Sequence, residues 1–415
     1  MKNLYYIYIL ALVLSGITAH AQLPFGGNDV FLIPQNDKEW KGLTRLNTDY
    51  SINSSSISNF FSKKLLYQGG YISNEDKSNV TDRLKNRNRF GLDLNAGLQG
   101  LAKINNFYLG GGISYREHLH AGFTQDFFKL VFEGNKQFAG KTAELSPLKI
   151  NYFDYIKFNV LGFKEINNLK IGAGLSYLRG GNYNSLLINR GALFTEQNGS
   201  YLDLDLDLRL AFSERESGLI PSSNGHGMAA DLYFTYNLNN NYINVQVNDL
   251  GFINWKGLTV VEIDSSYHYS GKAIDDILTL DESVFTDLSA DSLSEEFRVK
   301  KQTKGLTYFI PGNVHINYVA TISEKLKIVA GANYYLSAAH IPKIYIKSVH
   351  NLSESFIVIP CIAYGGYGKA DFELGAAKSF KNKLVVSANA FYLEYLAIPK
   401  KSSGHGVNFA ITKLF

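Results

Sequence analysis

The segment Tyr201 to Phe212 alternates without a break. Leu202, Leu204, Leu206, Leu208 and Leu210 share one face, and Asp203, Asp205, Asp207 and Arg209 share the other. A period of two is a strand signature and excludes an amphipathic helix. One face must meet something apolar and the other something wet, a demand that a soluble sandwich could also meet. The same layout recurs as hairpins. Polar turns at Lys103–Asn106, Lys164–Asn168, Asn239–Asn241, Ser323–Lys325 and Lys381–Lys383 are each followed by a glycine- or aromatic-bearing strand: Phe107–Tyr115, Leu169–Tyr177, Tyr242–Asn248, Leu326–Tyr335 and Leu384–Tyr392. The expected strands run to roughly 9 to 13 residues, the length a tilted membrane strand needs, against about 5 to 6 in ordinary globular sheets.

Between hairpins the connections are longer, as in Glu117–Leu148, Ser213–Asn224 and Asp264–Gly305. Short turns at one end and long loops at the other form the asymmetry of outer-membrane barrels, with short turns in the periplasm and long loops outside. The chain ends on a strand, Gly406 to Phe415. Its terminal Phe415 resembles the recognition signal of the outer-membrane assembly machinery. Lys413 shares a face with Ile411 and Phe415, near the membrane edge, where a charge costs about 0–1 kcal/mol. The pattern therefore predicts an all-β fold: an antiparallel transmembrane β-barrel of about 14 strands, within a range of 12–18. In the less regular stretch 22–88, Leu43–Ile52 reads as a strand and Asn53–Asn59 as a loop.

The amino end is read apart from the fold. Lys2, an apolar run from Leu4 to Leu14, and Ala19-His20-Ala21 predict a signal peptide over 1–21, leaving 22–415 as one barrel domain in a bacterial outer membrane. That run is shorter than the roughly 20 residues of a spanning helix. No later run is long enough, so any span must use strands. The 27 Tyr, 27 Phe and 37 Gly suit strands, turns and interfacial girdles. One cysteine, Cys361, excludes a disulfide framework and CxxC motifs. A formal net charge of +4 gives no case for nucleic acid.

Val247 to Trp255, with Asn248, Asp249, Leu250, Gly251, Phe252 and Trp255, resembles the signature of an uncharacterised family of Bacteroidota outer-membrane barrels, a domain of unknown function. Its flanks match: Gly225-His226-Gly227 opens a strand carrying Asp231, and a long acidic loop follows Trp255. Phe127–Leu130 with Gly134 and Asn135 is similar to the family's loop after an early hairpin. The resemblance covers most of the chain from Phe90 to Phe415. It implies a location and a fold and supplies no activity. Similarity to long-chain fatty-acid-transporter-like barrels is at the level of fold.

Candidate sites follow from facing. Asp203, Asp205, Asp207, Arg209 and Asp231 are expected to line the lumen, since four lipid-facing charges at the midplane would each cost a few kcal/mol. They either steer solutes or pair in a network that closes the interior, and pairing is the simpler reading. His118, His120, His226 and His405 are expected at the outer rim. Four imidazoles could bind a metal, but no spacing gathers them, so no metal or cofactor is assigned. In the acidic loop 264–305, Ile274, Ile277, Leu278, Leu288, Leu293 and Phe297 recur at helical spacing, which suits either a helical plug or a solvated loop. Gly251 suggests a bulge and Trp255 an interface belt.

No catalytic set is visible, and the chain is read as a non-enzyme. The leading expectation is passive transport or binding of a small, apolar ligand. The first alternative is a sealed barrel serving as a platform for a surface or secretion partner. A barrel hydrolase is the weaker alternative. Outer-membrane lipid is the expected surrounding, and no protein partner can be named.

Overall fold

The computed structural model describes residues 41–69, 71–214, 223–270, 299–336, 339–398 and 402–415. The expected signal peptide and the helical spacing at 274–297 lie outside the described residues.

Strands carry the fold. In chain order they are β1 (Gly42–Ser54), β2 (Asn88–Ile104), β3 (Phe107–Phe123), β4 (Lys141–Glu144), β5 (Leu148–Ile166) and β6 (Leu169–Thr195). Then follow β7 (Leu202–Phe212), β8 (Gly225–Leu238), β9 (Asn241–Tyr269), β10 (Lys300–Phe309), β11 (Asn313–Ser323) and β12 (Leu326–Tyr335). The last five are β13 (Ile341–Ser353), β14 (Phe356–Gly366), β15 (Ala370–Phe380), β16 (Leu384–Phe391) and β17 (Gly404–Leu414). The helices are short: α1 (Asn59–Lys63), α2 (Asn74–Thr81), α3 (Gln125–Glu133) and α4 (Glu394–Ala397).

All pairings between these strands are antiparallel, and β1 pairs with both β2 and β17, which closes the sheet. Three strand positions are each shared by two segments. β4 and β5 both lie along β6, β7 and β8 both lie between β6 and β9, and β10 and β11 both lie along β9. Seventeen segments thus make a closed barrel of 14 strand positions. Closure leaves no sheet edge with unpaired backbone groups.

The short turns fall where the sequence puts them. β2–β3, β5–β6 and β8–β9 are joined by two-residue loops whose first residue, Asn105, Asn167 or Asn239, has a left-handed φ. Asparagine tolerates that conformation better than other residues with a Cβ. Several strands exceed the expected length, with 27 residues in β6 and 29 in β9. Their alternation is shifted by bulges, for example where Tyr155 passes Gly180 and where Lys304 and Leu306 pass β9. The expected loops shrink accordingly: β3 continues to Phe123, β9 runs through Asp264 to Tyr269, and β10 starts at Lys300.

The pairing register separates the two faces of the wall. Leu46, Leu98, Ile113, Phe158, Tyr177 and Met228 stand in one cross-strand row, and all are strongly exposed. This row belongs to an apolar belt on the outer face. It includes Val160, Leu175, Leu232, Ile316, Ile346, Ile362 and Phe409. The next row, Asn47, Gly97, Ser114 and Lys157, faces the lumen and is buried.

Above the belt the outer face is covered by protein. Ile52, Leu92, Leu119, Ile150, Leu186 and Leu208 continue the outward rows. They pack with Phe61 of α1, Val80 of α2 and Phe128 of α3 into one apolar cluster. Ser58, Ser73 and Thr124 cap these helices, each side chain accepting from a backbone N–H three residues on. The helices therefore clasp the barrel from outside.

Candidate functional site

Inside the barrel the wall is lined by buried polar groups. Midway up, Lys157 of β5 donates to both carboxylate oxygens of Asp231 (3.1 and 2.9 Å) and to Oδ1 of Asp249 (2.6 Å). Asp249 lies at a β-bulge: between the pairs Ala230–Leu250 and Leu232–Val247, Asp231 faces both Asn248 and Asp249. Asp249 has φ +59°, and its N–H donates to Asp231 Oδ1 at 2.7 Å. The bulge turns a second carboxylate toward the one lysine, so the three charges satisfy one another away from water. Arg116 lines the same space, with Gln99, Ser114 and Tyr233. The space left is about 30 Å³, room for about one water. Nearer the low side of the barrel, Lys343 pairs with Asp371 (2.5 Å) and Glu373 (2.8 Å).

Above these charges the lumen turns apolar and aromatic. Phe153, Tyr155, Leu178, Tyr183, Ile253 and Trp255 are buried together, with Tyr308 packed against them. Ring centroids are 5.2 Å apart for Tyr183 and Trp255 and 5.1 Å for Phe153 and Tyr308, spacings at which aromatic pairs attract. A Cβ on Gly180 would fall 2.6 Å from the Trp255 ring, so glycine is what lets the indole lie flat on β6. Trp255 Nε1 has no hydrogen-bond partner among the described residues. This corrects the interface-belt reading: Trp255 is 1% exposed and points inward. The bulge likewise falls at Asn248 and Asp249 rather than at Gly251. Gly251 follows it, where a Cβ would come within 2.3 Å of the Met228 carbonyl oxygen. Leu250 and Phe252 take the outer face between these inward residues, and Phe252 packs against Phe309 at 6.2 Å.

The Leu/Asp strand is β7. Register places Asp203, Asp205, Asp207 and Arg209 on the same side of the sheet as the lumen residues, opposite Leu204, Leu206 and Leu208. β7 pairs with Asn184–Thr195, about 15 residues or more beyond the turn that opens β6. At about 3.3 Å per residue and a tilt near 40°, that is above a belt about 25 Å tall. The charges there pair near solvent: Arg190 with Asp205 (2.9 Å) and Asp264 (2.8 Å), and His268 with Asp203 (2.5 Å). Asn189 donates to Asp207, and Arg209 approaches Glu262 at 3.6 Å. They stand apart from the buried Asp231 and form no common site with it.

The four histidines lie toward the loop ends of their strands, but on two faces of the wall. His226 and His405 lie on the outer face. His226 Nδ1 lies 2.5 Å from the Tyr177 hydroxyl, and His405 is within 3.2 Å of the Tyr50 hydroxyl and 2.9 Å of Asn59 Oδ1. His118 and His120 face the lumen, buried, because their strand β3 continues past its expected end and carries both inside. Asp93 of β2 faces them, with its Oδ1 2.6 Å from His118 Nδ1 and 3.1 Å from His120 Nε2. Spacing i and i+2 in one strand could have signalled a shared face, but Asp93 reaches it only through cross-strand register.

Among curated proteins none matches the sequence. Among solved structures, the chain is similar to the Pseudomonas putida toluene transporter TodX, at 9% identity over 90% of each chain with a TM-score of 0.45. A Pseudomonas aeruginosa FadL homologue gives 9% identity over 90% of this chain and 89% of that one, with a TM-score of 0.45. The Ralstonia pickettii toluene transporter TbuX gives 9% identity over 91% and 90%, with a TM-score of 0.42. The barrel itself rests on the strand pairings above. A family of unknown function, DUF5723, matches residues 32–339, most of the sequence, and the chain belongs to that family.

Proposed function

We propose that the chain spans a bacterial outer membrane, turn end toward the periplasm, and binds a small, mainly apolar ligand in the upper lumen, releasing it inward when the charged floor rearranges. The membrane placement is supported by the exposed apolar belt, whose rows of Leu, Ile, Phe and Met would form an oversized patch in water. The observation that carries the ligand reading is the inward aromatic cluster around Trp255, with an indole N–H left without a partner. A water-filled pore would have little use for buried Trp, Leu and Ile on its lumen face. Pockets for small molecules pair such apolar walls with a few polar groups. Beneath it, the Lys157, Asp231 and Asp249 ion pairs form a charged floor whose adjoining cavity is about 30 Å³.

The second reading, a sealed platform for a protein partner, is favoured by that same filled floor. The two are separated with the refolded barrel. The chain has two tryptophans, Trp40 and Trp255, so Trp40→Phe leaves Trp255 as the sole reporter. Titration with a medium-chain fatty acid and with a monoaromatic hydrocarbon should give a saturable emission change with at least one of them. Planar bilayers holding the protein should show no steady conductance. A large steady conductance would overturn the gated reading, and no saturable response to either probe would favour the platform.

A further inference from the structure

The lumen carboxylates differ in how their charge is balanced. Asp231 and Asp249 share Lys157, and Asp371 and Glu373 share Lys343. Asp93 differs from these: its ion-pair partners among the described residues are two imidazoles, which are cations only when protonated. Asp49, which register places on the same lumen face, interacts electrostatically with Asp93 and, in the opposite sense, with Arg116 and Lys343.

The two imidazoles are held for convergence. Direct pairing across β2 and β3 sets His118 opposite Asp93, and His120 stands one inward step further along β3. His118 packs on Phe153 (5.1 Å) and His120 on Tyr367 (5.1 Å), which fixes both ring planes. Gly91, opposite His120, leaves the space that the Tyr367 ring fills, since a Cβ there would come within 2.1 Å of it. One nitrogen from each ring and one Asp93 oxygen lie within 4.8 Å of one another. His120 is 1% exposed, and its Nδ1 has no partner among the described residues.

We propose that Asp93, His118 and His120 form a binding site for a divalent first-row transition ion, with Zn²⁺ as its representative, inside the loop end of the lumen. Two neutral imidazoles and one carboxylate are a borderline donor set that suits Zn²⁺ and its neighbours rather than Mg²⁺ or Ca²⁺. The ion would sit against His118 Nδ1 and His120 Nε2, with the N–H of each neutral ring moved to its other nitrogen, and would supply a fixed positive charge in direct contact with Asp93. Tetrahedral bonds of about 2.0–2.2 Å set donor atoms about 3.4 Å apart, so Asp93 Oδ1 must draw back from His118 Nδ1 (2.6 Å) and, less, from His120 Nε2 (3.1 Å). The aromatic shell keeps the rings in place while it does so. Three protein ligands leave a coordination position open toward the lumen for water or for an anionic head group. The site does not depend on the ligand reading above.

The test uses the full chain with a tag free of histidine, folded in detergent and stripped with EDTA. After dialysis against Zn²⁺, bound metal is counted by mass spectrometry, and Co²⁺ spectra report the ligand field. One ion per chain is expected. His118→Ala, His120→Ala and Asp93→Asn should each weaken binding about tenfold or more, since even outer-shell changes at metal sites cost 10–100-fold. His226→Ala and His405→Ala, on the outer face, should bind as the parent does. Zn²⁺ should raise the parent's unfolding temperature by mass action and leave that of the double variant H118A/H120A unchanged; this second readout holds even if one single variant folds poorly. Stoichiometric binding that survives the double substitution, or no stoichiometric binding to the parent, would overturn the assignment and leave the trio as an internal hydrogen-bond network.

Discussion

At the scale of single residues, the interior depends on Lys157. It is the one ammonium facing two buried carboxylates that also meet each other through the Asp249 N–H. Lys157→Met removes the cation and leaves like charges together. Breaking a buried pair by removing one partner costs about 3–5 kcal/mol, so the variant should unfold at markedly lower temperature or denaturant. The triple change K157M/D231N/D249N should recover much of that loss, because the uncompensated charges go with it. A single variant as stable as the parent would mean that water reaches the cluster. Much of this was hidden in the sequence. Asp231 could be assigned to a lumen face by parity, and Asp249 belonged to a segment that broke the alternation. What joins them is the bulge, whose extra residue reverses facing for everything after it, and a run of letters does not show which residue is extra. Trp255 was misjudged for the same reason: one residue's slip moves a side chain from belt to lumen.

At the scale of elements, the layer formed by α1, α2 and α3 makes the upper wall two layers thick. Phe61 is fully buried in it, between Phe128 (5.4 Å) and Phe132 (5.1 Å). Phe61→Ala should loosen that layer by about 3–5 kcal/mol and expose 55–88 to protease, while the barrel keeps its heat-modifiable migration. The layer also has an acid-sensitive latch. Asp76 accepts from Lys64 Nζ (2.7 Å) and from the Ser73 hydroxyl and N–H (2.7 and 3.0 Å). Burial opposes its charged form, but these donors prevail and hold the carboxyl below its ordinary range. A lowered folded-state pKa contributes stability that is present above the unfolded value, near 3.9, and lost as pH falls through the folded one. Protection from hydrogen exchange across α1 and α2, taken relative to the intrinsic rate at each pH, should therefore fall below about pH 4, and Asp76→Asn should flatten that dependence; equal protection profiles in both proteins would refute the latch. The hairpin turns were legible because Asn-rich tips carry their own conformational preference. The helices were not: they are short, α2 is almost wholly polar, and their stability comes from a wall contributed by distant strands.

For the whole molecule, the membrane placement makes a sharp demand on the belt. Leu175 is 67% exposed on the outer face. Leu175→Arg should cost about 2–4 kcal/mol if it lies near the bilayer midplane, read from the urea dependence of folding into lipid vesicles. Asp205→Asn, in the near-solvent part of β7, should stay within about ±0.5 kcal/mol. If Leu175→Arg folds into vesicles as well as the parent, the belt does not face hydrocarbon. Closed architecture and strand number were readable because they depend on repeated alternation, which averages over local errors. The height of the wall was not, since the extra storey arises where β7 and β10 stack above β8 and β11 in shared positions.

That stacking gives the loop end a lopsided rim. Strands β2, β3, β5, β6 and β9 run for 17 to 29 residues, whereas β12 through β17 run for 8 to 13. The rim is a visor rather than a ring. A large ligand arriving from the loop end would meet the tall arc, with its helical cladding and ion-paired crest, before it met the low arc beside Lys343.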